Sequence, residues 1–267
     1  MPKLDNDPTK TAAQPFLIVA GVRCGGTYLA HCLSNHPSVF CDRGESMHAH
    51  SLWRQNKVDA QTLLHILTHQ EGYKASGFRM VHSQAFSKHI WRSIVEMKQK
   101  VIHLVRDNVL RQATSLIFHR MVRARKVPYF PVHTFEETRP PEKVRIEPGL
   151  VIKTCHELTR ARFGTYERLM KAGLPVLEVE YSKMVGGEGV TNTFVDLDIA
   201  RQICKHLGVC EYPLTCDLKR VHSHPLRAMI ENWAEVEKVI ALSEFVEHLA
   251  HEMAWVQRGG KWTVRNG

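Results

Sequence analysis

The sequence predicts an α/β protein built on a three-layer parallel sheet, and three observations carry that expectation. Short apolar runs alternate with longer amphipathic stretches along most of the chain, the rhythm of strand and crossover helix. The first run, Phe16-Leu17-Ile18-Val19-Ala20, is apolar throughout, as a strand covered on both faces must be. It ends in a P-loop-like, glycine-rich turn, Gly21-Val22-Arg23-Cys24-Gly25-Gly26, and Thr27 then opens a helix-like segment.

Residues 1–15 (MPKLDNDPTKTAAQP) hold no apolar run and read as a disordered lead-in to a single domain over 16–267. After the turn, Tyr28 to Ser34 reads as helix and Phe40 to Ser51 as a polar loop. Asp59 to His69 has helical spacing, with Leu63, Leu64, Ile66 and Leu67 on its apolar side. Gly77 to Val81 reads as a second strand, and Ala85 to Lys98 as a helix burying Ile90, Ile94, Val95 and Met97. Val101 to Val105 is a third, buried strand, followed by a long basic helix from Asn108 to Lys126. Val127 to Gly149 breaks the rhythm with five prolines and many charges, and reads as a mobile excursion over one face. Leu150 to Lys171 returns to helix, Pro175 to Tyr181 is a fourth strand, and Asp196 is placed to cap a helix from Ile199 to Leu207. Pro225 to Val256 reads as mostly helical, and no internal repeat or long linker divides the chain.

Composition narrows the function classes. The 267 residues carry a formal charge of +9, which calls for an anionic partner. No nucleic-acid module is recognisable, and the basic residues fall in stretches suited to phosphate on a small cofactor. The longest apolar run is far short of a membrane span. Seven cysteines without a CxxC pair argue against a zinc ribbon or a disulfide framework, although a bridge between two of Cys204, Cys210 and Cys216 stays open. The pair His48-Ala49-His50 lacks a third metal ligand nearby, so no metal is expected.

The turn has the chemistry of an anion site. Backbone N–H groups at a glycine-rich loop and helix start point toward a bound anion, and Arg23 adds a guanidinium fork. Gly21 and Gly26 keep the spacing of a Walker loop, but Thr27 stands where that loop has lysine, which disfavours an ordinary nucleoside triphosphatase. A second stretch, Val101 to Ser115 (VIHLVRDNVLRQATS), delivers Arg106 at a strand's carboxyl end, where open parallel sheets bind ligands. Thr114 and Ser115 follow about two helical turns later.

These residues resemble the sulfotransferases that use PAPS (3'-phosphoadenosine 5'-phosphosulfate). The cytosolic branch has P-K-S-G-T-T-W at the turn and the heparan sulfate branch G-V-R-K-G-G-T. This chain has Gly21-Val22-Arg23-Cys24-Gly25-Gly26-Thr27, then Leu33-Ser34-Asn35-His36-Pro37-Ser38-Val39, similar to the L-x-x-H-P-x-V that follows in both. Arg106 and Thr114 match the R-D/N-P-x-x-x-x-x-S element for the 3'-phosphate, with Asn108 in place of proline and Thr114 in place of serine. The resemblance covers 16–51 and 101–120 most closely and extends more loosely over Pro175–Val209.

The resemblance implies a sulfotransferase moving a sulfuryl group from PAPS to a hydroxyl, or an amine, of a small molecule or sugar, leaving PAP, with no metal. It assigns the 5'-phosphosulfate to Arg23, Cys24, Gly25, Gly26, Thr27 and Tyr28, and the 3'-phosphate to Arg106 with Thr114 or Ser115. Cys24 replaces a lysine of the heparan sulfate branch and cannot supply its charge, so neutralising the leaving group falls to Arg23 alone or to a lysine from elsewhere in the chain. Glu45 stands where the heparan sulfate 3-O branch has its catalytic glutamate and is the expected general base, with His48 as the second candidate. A late basic segment should close over the nucleotide, supplied by Lys219-Arg220 or by Arg258 to Lys261. The excursion at 127–149, with Tyr129, Phe130 and Phe135, is the candidate acceptor lid. Without an apolar leader the enzyme is expected to be cytoplasmic; acceptor identity and oligomeric state stay open. The competing expectations are a nucleotide-dependent phosphotransferase with a similar loop and a non-catalytic nucleotide-binding protein.

Overall fold

The computed structural model describes residues 13–43, 62, 65, 67–82, 88–124, 143–186, 193–218, 224–253, 255–258 and 261–264. Five strands form an all-parallel open sheet in the order β2-β3-β1-β4-β5: β1 (Gln14–Ala20), β2 (Val39–Cys41), β3 (Ala75–Val81), β4 (Lys100–Val105) and β5 (Val176–Glu180). β1 lies at the centre, with Ile18 in register with Arg79 of β3 and Ile102 of β4. Its continuous apolar run is explained by helices on both sides. Phe16, Ile18 and Ala20 face α1 (Gly26–Ser34), α5 (Tyr181–Met184) and α6 (Leu197–Leu207), where Leu29, Leu33, Met184, Ile203 and Leu207 complete one core. Leu17 and Val19 face α2 (Lys88–Glu96) and the end of α4 (Pro148–Lys171), where Ile90, Ile94 and Leu169 complete the other.

A third apolar cluster lies beyond the sheet. It joins α3 (Val109–Ala124) to α4, α8 (Trp233–Ala241) and α9 (Glu247–Met253) through Leu110, Ile117, Val151, Val236 and Leu249. One buried ion pair fixes its edge. Arg111 of α3 donates from Nε at 2.5 Å and from Nη2 at 3.1 Å to the two carboxylate oxygens of Glu252 on α9. Both side chains are at most 4% exposed. Glu252 also accepts from Leu226 N at 2.7 Å, at the start of α7 (Leu226–Met229).

Several local expectations change. Phe40 and Cys41, read as the start of a polar loop, form with Val39 the short strand β2, held by pairing with β3 rather than by any pattern of their own. The stretch 225–256 is mostly helical, as expected, but interrupted. It divides into α7, α8 and α9, broken at Ile230, which ends α7 in an extended conformation, and at 242–246. Val144 and Ile230 form an isolated parallel bridge, so the last part of the 127–149 stretch is docked. Helix α4 begins inside it at Pro148, capped by the Glu147 carboxylate accepting from Gly149 N and Leu150 N. The chain then forms an antiparallel hairpin, β6 (Trp255–Arg258) with β7 (Lys261–Val264). Thr62, His65, Leu67 and Thr68 are helical, while the rest of 59–66 and the residues 125–142 lie outside the described residues. All seven cysteines are free thiols, Cys204, Cys210 and Cys216 included. No described helix is long and apolar enough to cross a membrane.

Candidate functional site

The connections from β1 and β3 leave in opposite directions, β1 into α1 on one face and β3 toward α2 on the other. Such a divergence opens a crevice at the carboxyl ends of the strands. The glycine-rich turn sits at that crevice. Cys24 N donates to Gly21 O at 3.3 Å, closing the turn, and Arg23 takes the left-handed conformation with φ 63°. Gly25 follows with φ 80°, and a Cβ there would lie 2.3 Å from the Tyr181 ring. Backbone geometry and close approach both require glycine at this position. Helix α1 starts at Gly26 with no side-chain cap and no acidic residue in its first turn. Its positive end therefore meets no carboxylate from its own first turn.

The second stretch comes to the same place. Arg23 Nε donates to Ser115 Oγ at 3.0 Å, and Arg106 Nη1 donates to Arg23 O at 3.5 Å. Arg106 is buried, with its guanidinium over the Tyr181 ring at 5.1 Å. Tyr181 thus stands as a wedge between Gly25 and Arg106. Gln112 Nε2 donates to Val22 O at 2.8 Å and ties α3 to the turn. Arg79 of β3, also buried, lays its side chain across Gly26.

The two hydroxyls of the second stretch separate. Thr114, 3% exposed, donates back to Leu110 O at 2.9 Å and Arg111 O at 3.2 Å. Ser115 is half-buried and faces Arg23. Within the turn, Thr27 is half-buried in the first turn of α1, whereas Tyr28 points into the core. Burial pushes the Tyr28 phenol pKa up, so at the turn Tyr28 contributes only backbone. Burial also pushes the Cys24 thiol up to about 12, against the opposing pull of Arg106 and Arg162, so Cys24 is a neutral lining group.

A cleft of about 510 Å³ adjoins the turn, walled at its inner end by Gly21, Cys24, His82 and Arg106. Burial, with a smaller contribution from His103, holds the His82 imidazole down at about 3. Its Nε2 has no hydrogen-bond partner among the described residues. Its ring lies 5.4 Å from that of His103, which is fully buried in β4. Burial and the Arg162 guanidinium hold His103 at about 4, so its Nδ1–H donates as a neutral ring to Glu178 Oε2 at 3.1 Å. Arg162 bridges the outer groups, donating to Asp107 Oδ1 at 2.7 Å and Glu178 Oε1 at 3.3 Å.

Glu45, His48, Lys219 and Arg220 lie outside the described residues; Arg258 lies in β6. The residues flanking 219–223 are anchored beside the crevice. Cys216 Sγ lies 4.0 Å from Tyr28 O, and His224 O accepts from Arg111 Nη1 at 3.4 Å. Sequence reasoning missed Arg79, Gln112 and Tyr181. For Arg79 a signal existed: an arginine inside an apolar strand, between Phe78 and Met80, needs a reason to be there. Tyr181 and Gln112 gave none, because their contacts depend on how β5 and α3 approach the turn. Among the described residues no group of three or more His, Cys, Asp or Glu side chains could hold a metal ion.

No protein-family model matches this sequence, and no curated protein matches it significantly.

Proposed function

We propose that this chain is a PAPS-dependent sulfotransferase acting on a hydroxyl or amine. One observation carries the reading: the Arg23–Ser115 hydrogen bond, with Arg106 reaching the Arg23 carbonyl, gives two sequence-distant anion-binding elements one crevice. A nucleotide with a phosphosulfate at one end of its ribose and a phosphate at the other needs that pairing. The residues fit such a group. The uncapped start of α1 and the Arg23 fork suit the phosphosulfate, and Arg106 with the Ser115 hydroxyl suits the 3'-phosphate. Neutral Cys24 adds no competing charge.

Bound PAPS would supply a sulfuryl group. Its sulfur–oxygen bond to phosphate breaks as one to the acceptor oxygen or nitrogen forms, and the products are a sulfated acceptor, PAP and one proton. The protein's part is electrostatic and positional. Arg23, held by Ser115, keeps a guanidinium at the turn where negative charge develops on the leaving phosphate. Glu45, then His48, are the proposed acceptors of the proton. His82 is the imidazole at the inner end of the cleft, held neutral, with its Nε2 buried and without a partner among the described residues. The phosphosulfate-binding role of the turn, the closure by Lys219-Arg220 and a cytoplasmic location belong to the same proposal.

The test is calorimetric titration of the full chain with PAP, 5'-AMP and ATP in the absence of metal. The expected result is micromolar binding of PAP alone, lost in Arg106→Ala. Equal or tighter binding of ATP, or no nucleotide binding, overturns the reading, and ATP binding favours the phosphotransferase.

A further inference from the structure

We infer that the acceptor is an apolar compound without negative charge, seated between α3 and α4; this assignment rests on the sulfotransferase reading. The cleft that begins at the turn does not end there. It runs outward between the two helices, where Leu116 of α3, Leu158 of α4 and Phe245 form an apolar wall. Its volume of about 510 Å³ is in the range of small-molecule sites. Leu116 of α3 and Phe245 of the turn between α8 and α9 are both buried, and Phe245 packs in the third apolar cluster.

Away from the turn the described lining of the cleft is more acidic than basic. At the inner end the cations belong to the anion site, and Arg162 is engaged by Asp107 and Glu178. Beyond Arg106 the described lining residues include the carboxylates of Asp107, Glu157, Glu244 and Glu247 against the guanidiniums of Arg120 and Arg162. His156 lies 3.2 Å from Glu244, and His248 lies 3.8 Å from Glu247. Burial keeps the His248 pKa below its ordinary value, so that ring does not neutralise these carboxylates near pH 7. A sulfated or carboxylated glycan entering by this route would meet carboxylates and an apolar wall, and both disfavour it. A molecule with an apolar body meets neither obstacle, and its hydroxyl or amine is carried toward the turn.

Three naphthalene probes of one size separate these chemistries: 1-naphthalenemethanol, 1-naphthylmethylamine and 1-naphthoate. Each is titrated by fluorescence into the full chain, with and without PAP. The expected result is that the alcohol and the amine bind at least about tenfold more tightly than the carboxylate. Leu158→Gln should weaken the alcohol about fivefold and leave PAP binding unchanged. The double variant Glu157→Lys/Glu244→Lys alters only exposed side chains and should bring the carboxylate within about twofold of the alcohol. Naphthoate binding as tightly as the alcohol, or no response to either variant, overturns the inference. If PAP binds while the alcohol does not, the inference fails and the sulfotransferase reading stands. If the alcohol binds with the expected sensitivity to Leu158→Gln while PAP does not bind, the acceptor role falls together with that reading.

Discussion

Arg23 Nε donates a hydrogen bond to Ser115 Oγ at 3.0 Å, joining two residues 92 positions apart in the chain. Its neighbour Thr114 spends its hydroxyl on its own helix. The two side chains should therefore differ in effect. Ser115→Ala should weaken PAP binding about tenfold, the loss of a charge-assisted contact and of the group that orients Arg23. Thr114→Ala should leave PAP binding within about twofold and cost about 1 kcal/mol of stability or less. Calorimetry for binding and urea unfolding for stability check both, and reversed roles would exclude Ser115 as the partner of the turn.

Arg23 holds a conformation that side chains other than glycine rarely adopt, with φ 63°. Strain of this kind persists where the surroundings enforce it. Arg23→Gly and Arg23→Ala remove the same guanidinium, but only glycine relieves the backbone. Both variants should bind PAP at least about tenfold more weakly. The glycine variant should be the more stable by about 1 kcal/mol, read from urea midpoints at a common m-value.

Gly25 and Tyr181 form a second coupled pair. Gly25→Ala adds a methyl group into the Tyr181 ring on a left-handed backbone, and should cost about 2–4 kcal/mol. In a Tyr181→Ala background the clash is gone, and the further cost should fall to about 1–2 kcal/mol, the conformational part alone. A double-mutant cycle measures the difference.

Acid should destabilise this protein early. Imidazoles in the unfolded chain titrate near 6.5, whereas folded His103 titrates near 4 and His82 near 3. Below 6.5 the unfolded state therefore binds more protons than the folded state, so their contribution is whole above 6.5 and is lost as pH falls toward 4 and 3. His31, His206, His224 and His248 are shifted in the same direction by burial. The urea midpoint should drop between pH 7.5 and 5, and His82→Gln should make that drop shallower.

The sheet was legible because its strands carry their own signal. β1, β3, β4 and β5 are apolar runs bounded by turn residues or charge, and the structure extends or trims each by one or two residues. β2 was not legible, because three residues hold no periodicity and only their partner makes them a strand. The breaks between α7, α8 and α9 were missed for a related reason. The first is held by residues distant in sequence: Val144 bridges Ile230, and Ile146 exchanges backbone hydrogen bonds with the Asn232 side chain. At the site, Arg23 and Arg106 stood out by their place at strand ends. The choice between Thr114 and Ser115 could not be made without the direction in which α3 turns its side chains.

The Arg111–Glu252 pair yields a further prediction. Both charges are buried, so removing one strands the other. Glu252→Ala should cost about 3–5 kcal/mol, and Arg111→Met/Glu252→Leu should recover most of that loss. Chemical denaturation of the two single variants and the double variant checks it.

That pair also sets an order of events during synthesis. Arg111 is made early, on the helix that directly follows a central strand, while its carboxylate is encoded 141 residues later. Until residue 252 is made, the Arg111 guanidinium lacks the carboxylate that it meets in the folded chain. The glycine turn is tied to the same helix through Gln112 and Ser115. A chain released short of α9 would hold every strand of the parallel sheet yet lack the carboxylate that holds Arg111.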